Sequence, residues 1–382
     1  MIKMKQTLFG LALMACAVAP GTANAADGNV HFKGELKGLT DTLIVMIPTH
    51  GNDMTRDTVL VKDGKFDFSV TVANPTSIYA YTPATLRRQE NIGFQTIAVP
   101  GESAELSGDL ASTYSFSGTK FYREYNEANR TIETAAHALN TYMDKLNARM
   151  KAGESQDSLM KEYRAKVPML RQQITESIFN FIKEHPSYEA SAAIIPELGN
   201  LAKMNDAVKL LSPEVRDGRM KNFYQSVIDQ MTAQEQAEAE AAKKQAVGVQ
   251  APDFTLNDIN GKPLTLSSLR GQYVVLDFWG SWCGWCIKGF PEMKKYYEKY
   301  KGKFEILGID CNDTEDKWKA AVEKHNLPWL HVYYPRNSKV LADYAVQGFP
   351  TKIILDPDGK IAKTVVGEDP AFYTFLDELF GK

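Results

Sequence analysis

Three kinds of hydrophobic pattern follow one another along the chain. Over residues 29–117 apolar and polar positions alternate in short runs. This predicts strands at His31–Leu36, Thr42–Ile47, Thr58–Val61, Lys65–Val72, Ser77–Tyr81, Phe94–Val99 and Ala104–Ser107. Asp63-Gly64 and Pro100-Gly101 are turn signals between them. The expectation is a small all-β domain, an antiparallel sheet or a sandwich.

From Tyr122 to Lys244 the apolar positions recur at helical spacing. Tyr125, Ile132, Ala136, Leu139, Met143, Leu146 and Met150 form one stripe, and Val167, Leu170, Ile174, Ile178 and Ile182 form a second. His185-Pro186 stops the helices, Ser191 restarts them, and a last helix is expected over Ser212–Met231. Thr232–Lys244 has no apolar stripe and reads as a solvated helical linker. The stripes predict core packing in an α-helical region, with a homodimer interface as their alternative use.

From Val247 strand and helix patterns alternate. Strands are expected at Phe254–Leu256, Tyr273–Trp279, Phe304–Ile309, Leu330–Tyr333, Thr351–Leu355 and Ile361–Val366. Helices are expected at Lys288–Tyr300, Asp316–His325, Lys339–Tyr344 and Phe372–Leu379. Alternation of this kind predicts an α/β domain with a sheet covered on both faces. The expected organisation is therefore a leader at 1–25, a β-rich domain at 26–118, a helical region and linker at 119–246, and an α/β domain at 247–382.

Composition narrows the function. The 44 basic and 47 acidic residues nearly balance, so the chain presents no field for nucleic acid or an anionic membrane. Lys3 and Lys5, the apolar run Leu8–Val18 and Ala23-Asn24-Ala25 have the order of an export signal, with cleavage after Ala25. The expected location is the periplasm. The competing reading takes Leu13-Met14-Ala15-Cys16 as a lipoprotein box that anchors the chain to a membrane through Cys16.

Cleavage after Ala25 leaves Cys283, Cys286 and Cys311, too few for a disulfide framework but enough for one catalytic pair and one odd thiol. Cys283 and Cys286 follow the strand Tyr273–Trp279 and open a helix. Unsatisfied backbone NH groups at a helix N-terminus favour a thiolate at Cys283, the species that attacks a disulfide. Lowering its pKa from about 8.5 to about 7 raises the reactive fraction at neutral pH to roughly half. Cys286, further into the helix, would resolve the mixed disulfide. The lone Cys311 reads as a small buried hydrophobe. The six histidines show no ligand spacing, so neither a metal nor another cofactor is expected.

Ala251-Pro252-Asp253-Phe254-Thr255-Leu256 and Leu266-Ser267-Ser268-Leu269-Arg270-Gly271 precede Trp282-Cys283-Gly284-Trp285-Cys286, and Pro291, Gly348-Phe349-Pro350-Thr351 and Asp356-Pro357-Asp358-Gly359-Lys360 follow it. Through these motifs residues 247–382 resemble the TlpA/ResA-like exported proteins of the thioredoxin family. The resemblance implies a thioredoxin fold and a thiol:disulfide oxidoreductase with Cys283 and Cys286 as its redox-active disulfide. It implies a cis Pro350 against the CxxC, and a substrate chain seated on Trp282, Gly284, Trp285, Phe349 and Thr351. It also implies a buried acid at Asp277 that takes the proton from Cys286.

The sequence departs from the family at Gly289, where ResA-type members carry a glutamate, which leaves Asp277 as the one obvious acid. Phe304–Asp310 offers no lysine to partner that acid, and Trp285 stands where a proline is common. The segment 29–117 resembles, through Asp57-Thr58-Val59 and Lys62–Phe68, a small β domain of unassigned role that precedes such exported proteins.

The functional expectation is a disulfide reductase for exported proteins, re-reduced by a membrane thiol donor. A disulfide isomerase, and a client-binding module at 29–246 with an accessory redox domain, are the alternatives. A thiol peroxidase is a further one, because the segment around Pro252 also resembles peroxiredoxins. Those enzymes place a proline and a Thr or Ser where this chain has Leu276 and Gly280.

Overall fold

The computed structural model describes residues 29–49, 53–335 and 338–381. The expected leader and Cys16 lie outside the described residues. Two compact units divide at Ala233/Gln234, whereas the hydrophobic pattern changes character at 118 and 246.

The first unit begins with β1 (Asn29–Lys37), β2 (Thr42–Pro48), β3 (Met54–Leu60), β4 (Lys65–Thr71) and β5 (Thr76–Tyr81). A single-turn helix α1 (Pro83–Leu86) precedes β6 (Gly93–Ala98), β7 (Ser103–Asp109) and β8 (Tyr114–Gly118). They form two four-stranded sheets, ordered β4-β1-β7-β8 and β3-β2-β5-β6. Alternation puts Phe66 and Phe94 inward from different sheets, ring centroids 5.6 Å apart. The β1–β7 pair is parallel, a departure from the expected all-antiparallel arrangement. Asp63 and Gly64 both take positive φ, as a type I′ turn requires.

The helices of this region are α2 (Lys120–Lys151), α3 (Gln156–Glu184), α4 (Glu189–Ala193), α5 (Leu201–Leu210), α6 (Pro213–Arg216) and α7 (Lys221–Lys244). The helix expected from Ser212 is broken at Asp217–Met220, and α3 continues through Pro168. One hydrophobic cluster runs from the strands into the helices: Tyr122 sits edge-on to Phe32 and stacks on Phe116. Arg219 adds a polar tie, donating to Glu189, Glu102 and the carbonyl of Pro100.

The second unit opens with the hairpin β9 (Thr255–Asn257) and β10 (Pro263–Thr265), then β11 (Tyr273–Trp279), α8 (Gly284–Lys299), β12 (Phe304–Asp310), α9 (Glu315–His325) and β13 (Leu330–Tyr333). It closes with α10 (Val340–Asp343), β14 (Thr351–Leu355), β15 (Ile361–Val366) and α11 (Ala371–Phe380). Five strands form one sheet, β13-β12-β11-β14-β15. β12 is parallel to both β11 and β13, while β14 runs antiparallel to β11 and β15. This is the thioredoxin fold that the resemblance implies.

Strand parity sorts the central residues to two faces. Val275 and Trp279 of β11 pack with Phe290 and Met293 of α8, Trp318 of α9 and Phe372 and Leu376 of α11. Val274, Leu276 and Phe278 pack on the other face with Leu256, Val340 and Tyr344. Each of these buried side chains contributes about 2 kcal/mol of apolar burial, so the sheet is a rigid platform for whatever its ends carry.

Candidate active site

The apolar run Tyr273–Trp279 forms the central strand because every residue after Tyr273 is buried. Its C-terminal end delivers the chain through Gly280-Ser281-Trp282 to Cys283, which caps α8. The Cys283 sulfur accepts a hydrogen bond from the Cys286 amide at 3.2 Å. The helix starts four residues before the position expected from periodicity, since the apolar stripe begins later than the cap. Cys283 and Cys286 form a disulfide of 2.05 Å. The helix N-terminus thus aims an orphan NH at Cys283, as anion stabilisation requires. Cys286 lies one turn inside, 2% exposed.

The loop before the disulfide is held by side chains. Asp313 accepts from the Ser281 amide at 2.6 Å and from its hydroxyl at 2.9 Å, and the Trp282 indole NH donates to the Cys311 carbonyl at 3.0 Å. Trp282 meets Phe349 edge-on, with centroids 5.4 Å apart. The Phe349–Pro350 peptide is cis, Pro350 is buried, and Thr351 donates to the Gly348 carbonyl at 2.7 Å. Trp282 and Trp285 are 52% and 63% exposed, a pair of large apolar side chains left in solvent on either side of Cys283. The structure therefore brings together Cys283, Cys286, Trp282, Gly284, Trp285, Phe349, Pro350 and Thr351 around one end of the sheet.

Asp277 lies beneath this rim. Its parity is that of Val275 and Trp279, which share a hydrophobic cluster with Cys283 and Cys286. It is 1% exposed, and Oδ1 finds no hydrogen-bond donor among the described residues. Burial pushes its carboxyl up to about 6, opposed by Lys352 and reinforced by Glu368.

Lys352 and Glu368 correct the sequence reading at two points. No lysine was expected for Asp277 because Phe304–Asp310 has none, and the β12 residue opposite Asp277 is indeed the bare Gly308. The lysine comes from the other neighbour: Lys352 of β14 sits directly across from Asp277, buried at 1% exposure. Nor is Asp277 the one acid: Glu368, on the loop after β15, bonds Lys352 at 2.8 Å. The signal was present in Thr351-Lys352-Ile353-Ile354-Leu355, where a lysine interrupts an otherwise apolar strand.

A second buried acid stands nearby. Asp310, opposite Trp279 at the end of β12, is wholly buried, and burial together with the adjacent Asp313 carboxylate raises its pKa to about 8. Cys311 is also wholly buried, donates to the Ile309 carbonyl at 3.3 Å, and is held well above the usual thiol range by burial. Among the described residues no three His, Cys, Asp or Glu side chains gather as metal ligands, and no helix is long and apolar enough to cross a membrane.

The C-terminal segment is similar to known proteins. Residues 247–364 match the AhpC/TSA family. Over 127 residues the chain is 37% identical to a protein of Bacillus cereus named thiol-disulfide oxidoreductase ResA, covering 33% of this chain and 73% of that one. A protein of the same name from Bacillus subtilis is 36% identical over 121 residues, 31% and 67% of the two chains. Among solved structures, the thioredoxin domain of a Bacteroides vulgatus thiol-disulfide oxidoreductase is 33% identical. It matches 35% of this chain and 98% of its own, with a TM-score of 0.34. The CxxC on its helix cap and relatives 36–37% identical, each matched over two thirds or more of its length, make the conclusion plain: through its C-terminal unit, the chain belongs to the ResA family of thiol-disulfide oxidoreductases.

Proposed function

We propose that the protein is a disulfide reductase for exported proteins, with Cys283 as nucleophile and Cys286 as resolving thiol. The observation that carries this reading is the position of Cys283: on the cap of α8, under the Cys286 amide, between two solvent-exposed tryptophans and beside the Phe349–Pro350 loop. In the reaction the Cys283 thiolate attacks one sulfur of a substrate disulfide, and the other sulfur leaves as a thiolate. Cys286 then attacks the Cys283 sulfur, the Cys283–Cys286 bond forms, and the second substrate thiolate departs. The ionised Asp277 carboxylate takes the Cys286 proton. Trp282, Trp285 and Phe349 supply apolar contact area to an extended substrate chain, with Gly284 and Thr351 flanking it.

The leader at residues 1–25 and the small thiol count support a periplasmic setting, with a membrane thiol donor restoring the reduced form. The β-rich segment 26–118 and helical segment 119–246 would then serve as the part that selects clients. The peroxidase alternative finds little support at the site: Leu276 points into the opposite core from the disulfide, and Gly280 has no side chain to offer a peroxide.

Equilibration of the purified protein with dithiothreitol and glutathione buffers tests direction. A potential near about −270 mV fits a reductase, whereas one near about −120 mV makes the protein an oxidant and overturns this reading.

A further inference from the structure

Gly289 lies one turn beyond Cys286 on the buried face of α8. A Cβ placed there would collide with the Glu368 carboxylate, so the space beside the helix is already filled by an acid from another element. The loop that carries Glu368 is tied to the active-site loop, because the Gly367 amide donates to the Pro350 carbonyl at 2.7 Å. Tyr373 of α11 donates to Oε1 of Glu368 at 2.7 Å and lies 3.4 Å from the Gly289 carbonyl. Lys352 donates to Oε2 at 2.8 Å and lies over the Phe372 ring, 5.5 Å from its centroid. The Lys352 side chain is 1% exposed and that of Glu368 16%.

Lys352, buried and paired with a half-buried carboxylate, also sits opposite Asp277 on the neighbouring strand. The two acids therefore compete for a single cation, and with Lys352 engaged by Glu368 the Asp277 carboxylate is left underpaired. We infer that Lys352 and Glu368 are positioning residues for the resolving step: their ion pair sets how readily Asp277 ionises, and so how readily Cys286 gives up its proton. This rests on the proposed roles of Cys283 and Cys286. The groups facing Asp277 are Lys352 from β14, Glu368 from the loop after β15 and Tyr373 from α11, while the Cys311 thiol at the end of β12 lies in the core on the other face of the sheet. Cys286 lies in the core cluster that includes Val275 and Trp279, which flank Asp277 on the same face of β11. Glu292 of α8 adds negative charge near Tyr373.

The two partners make opposite predictions. Without the Glu368 charge, Lys352 acts on Asp277 alone and favours its carboxylate. Without the Lys352 charge, Asp277 stays protonated to higher pH.

Ellman's reagent separates the two chemical steps in one stopped-flow trace of the reduced protein. Cys283 attacks the reagent and releases a first thionitrobenzoate. Cys286 then attacks the Cys283 sulfur, the intramolecular disulfide forms, and the second thionitrobenzoate leaves. In Glu368→Gln the acid limb of the second release moves down by roughly one pH unit, and in Lys352→Met it moves up by a similar amount. Gly289→Ala, which pushes the Glu368 carboxylate aside, follows Glu368→Gln. A wild-type profile in the isosteric Glu368→Gln variant, or shifts of the same sign in both variants, would overturn the inference. Absence of a Cys286-dependent second release in the wild-type protein would instead remove the proposed roles of the cysteines themselves.

Discussion

Asp277→Asn should stabilise the C-terminal unit at neutral pH and leave it unchanged in acid. In the folded protein the Asp277 carboxyl is raised from 3.8 to about 6 by burial. Between those values the native state holds a proton that the unfolded chain has lost, so stability declines as pH climbs through this window and is level above it. At about 1.4 kcal/mol per pH unit, the cost of ionising Asp277 reaches about 3 kcal/mol at pH 8. Asparagine keeps the shape and cannot ionise. Its urea midpoint should therefore rise by about 2 M at pH 8, for an m-value of about 1.5 kcal/mol/M, and coincide with wild type near pH 3.5. The assay is selective: all five tryptophans, at 279, 282, 285, 318 and 329, lie in the C-terminal unit, so excitation at 295 nm follows that unit alone. Equal midpoints for the two proteins at pH 8, in the oxidised state, would refute the claim that Asp277 is buried with an underpaired charge.

Other outcomes follow from single groups. His331 is buried between Trp279 and Trp329, and burial lowers its pKa from 6.5 to about 4. The unfolded chain binds the proton first, so stability is full above pH 6.5 and falls by about 3 kcal/mol as pH drops to 4. His331→Phe should flatten that part of a denaturation series. Asp313→Ala removes the acceptor for Ser281 N and Oγ and should cost about 2 kcal/mol in urea unfolding while lowering insulin reduction. Trp285→Ala should raise KM for a peptide disulfide several-fold without moving the thermal midpoint, because that side chain is 63% exposed. Iodoacetamide labelling of the reduced native protein should modify Cys283 and leave the Cys311 peptide unlabelled until guanidinium is added.

What could be read ahead of the structure depended on how far apart the cooperating residues lie. The strand, cap and helix around Cys283 are contiguous, and their chemistry follows from local order. Most strands with one buried face showed their alternation, but β8 was not expected, since only Phe116 of Tyr114–Gly118 is fully buried. β3 did not show it, because Met54–Leu60 is an edge strand solvated along nearly its whole length, and its polar start hid four of its residues. The parallel β1–β7 pair joins segments more than sixty residues apart, and no local signal marks such a pairing. Lys352 and Glu368 were missed for the same reason. The expected partner strand for Asp277 is β12, yet the lysine sits on the antiparallel neighbour and its carboxylate on the loop after the next strand. The bare Gly289 looked like a missing acid; in space it is the opening that admits one.

The most direct test of the account is to trap the mixed disulfide. Reduced Cys286→Ser protein, incubated with a peptide disulfide and digested for mass spectrometry, should carry the peptide covalently on Cys283. The Cys283→Ser protein should carry none. A peptide found on Cys286 in the second variant, or no adduct on Cys283 in the first, would contradict the assignment of nucleophile and resolving thiol.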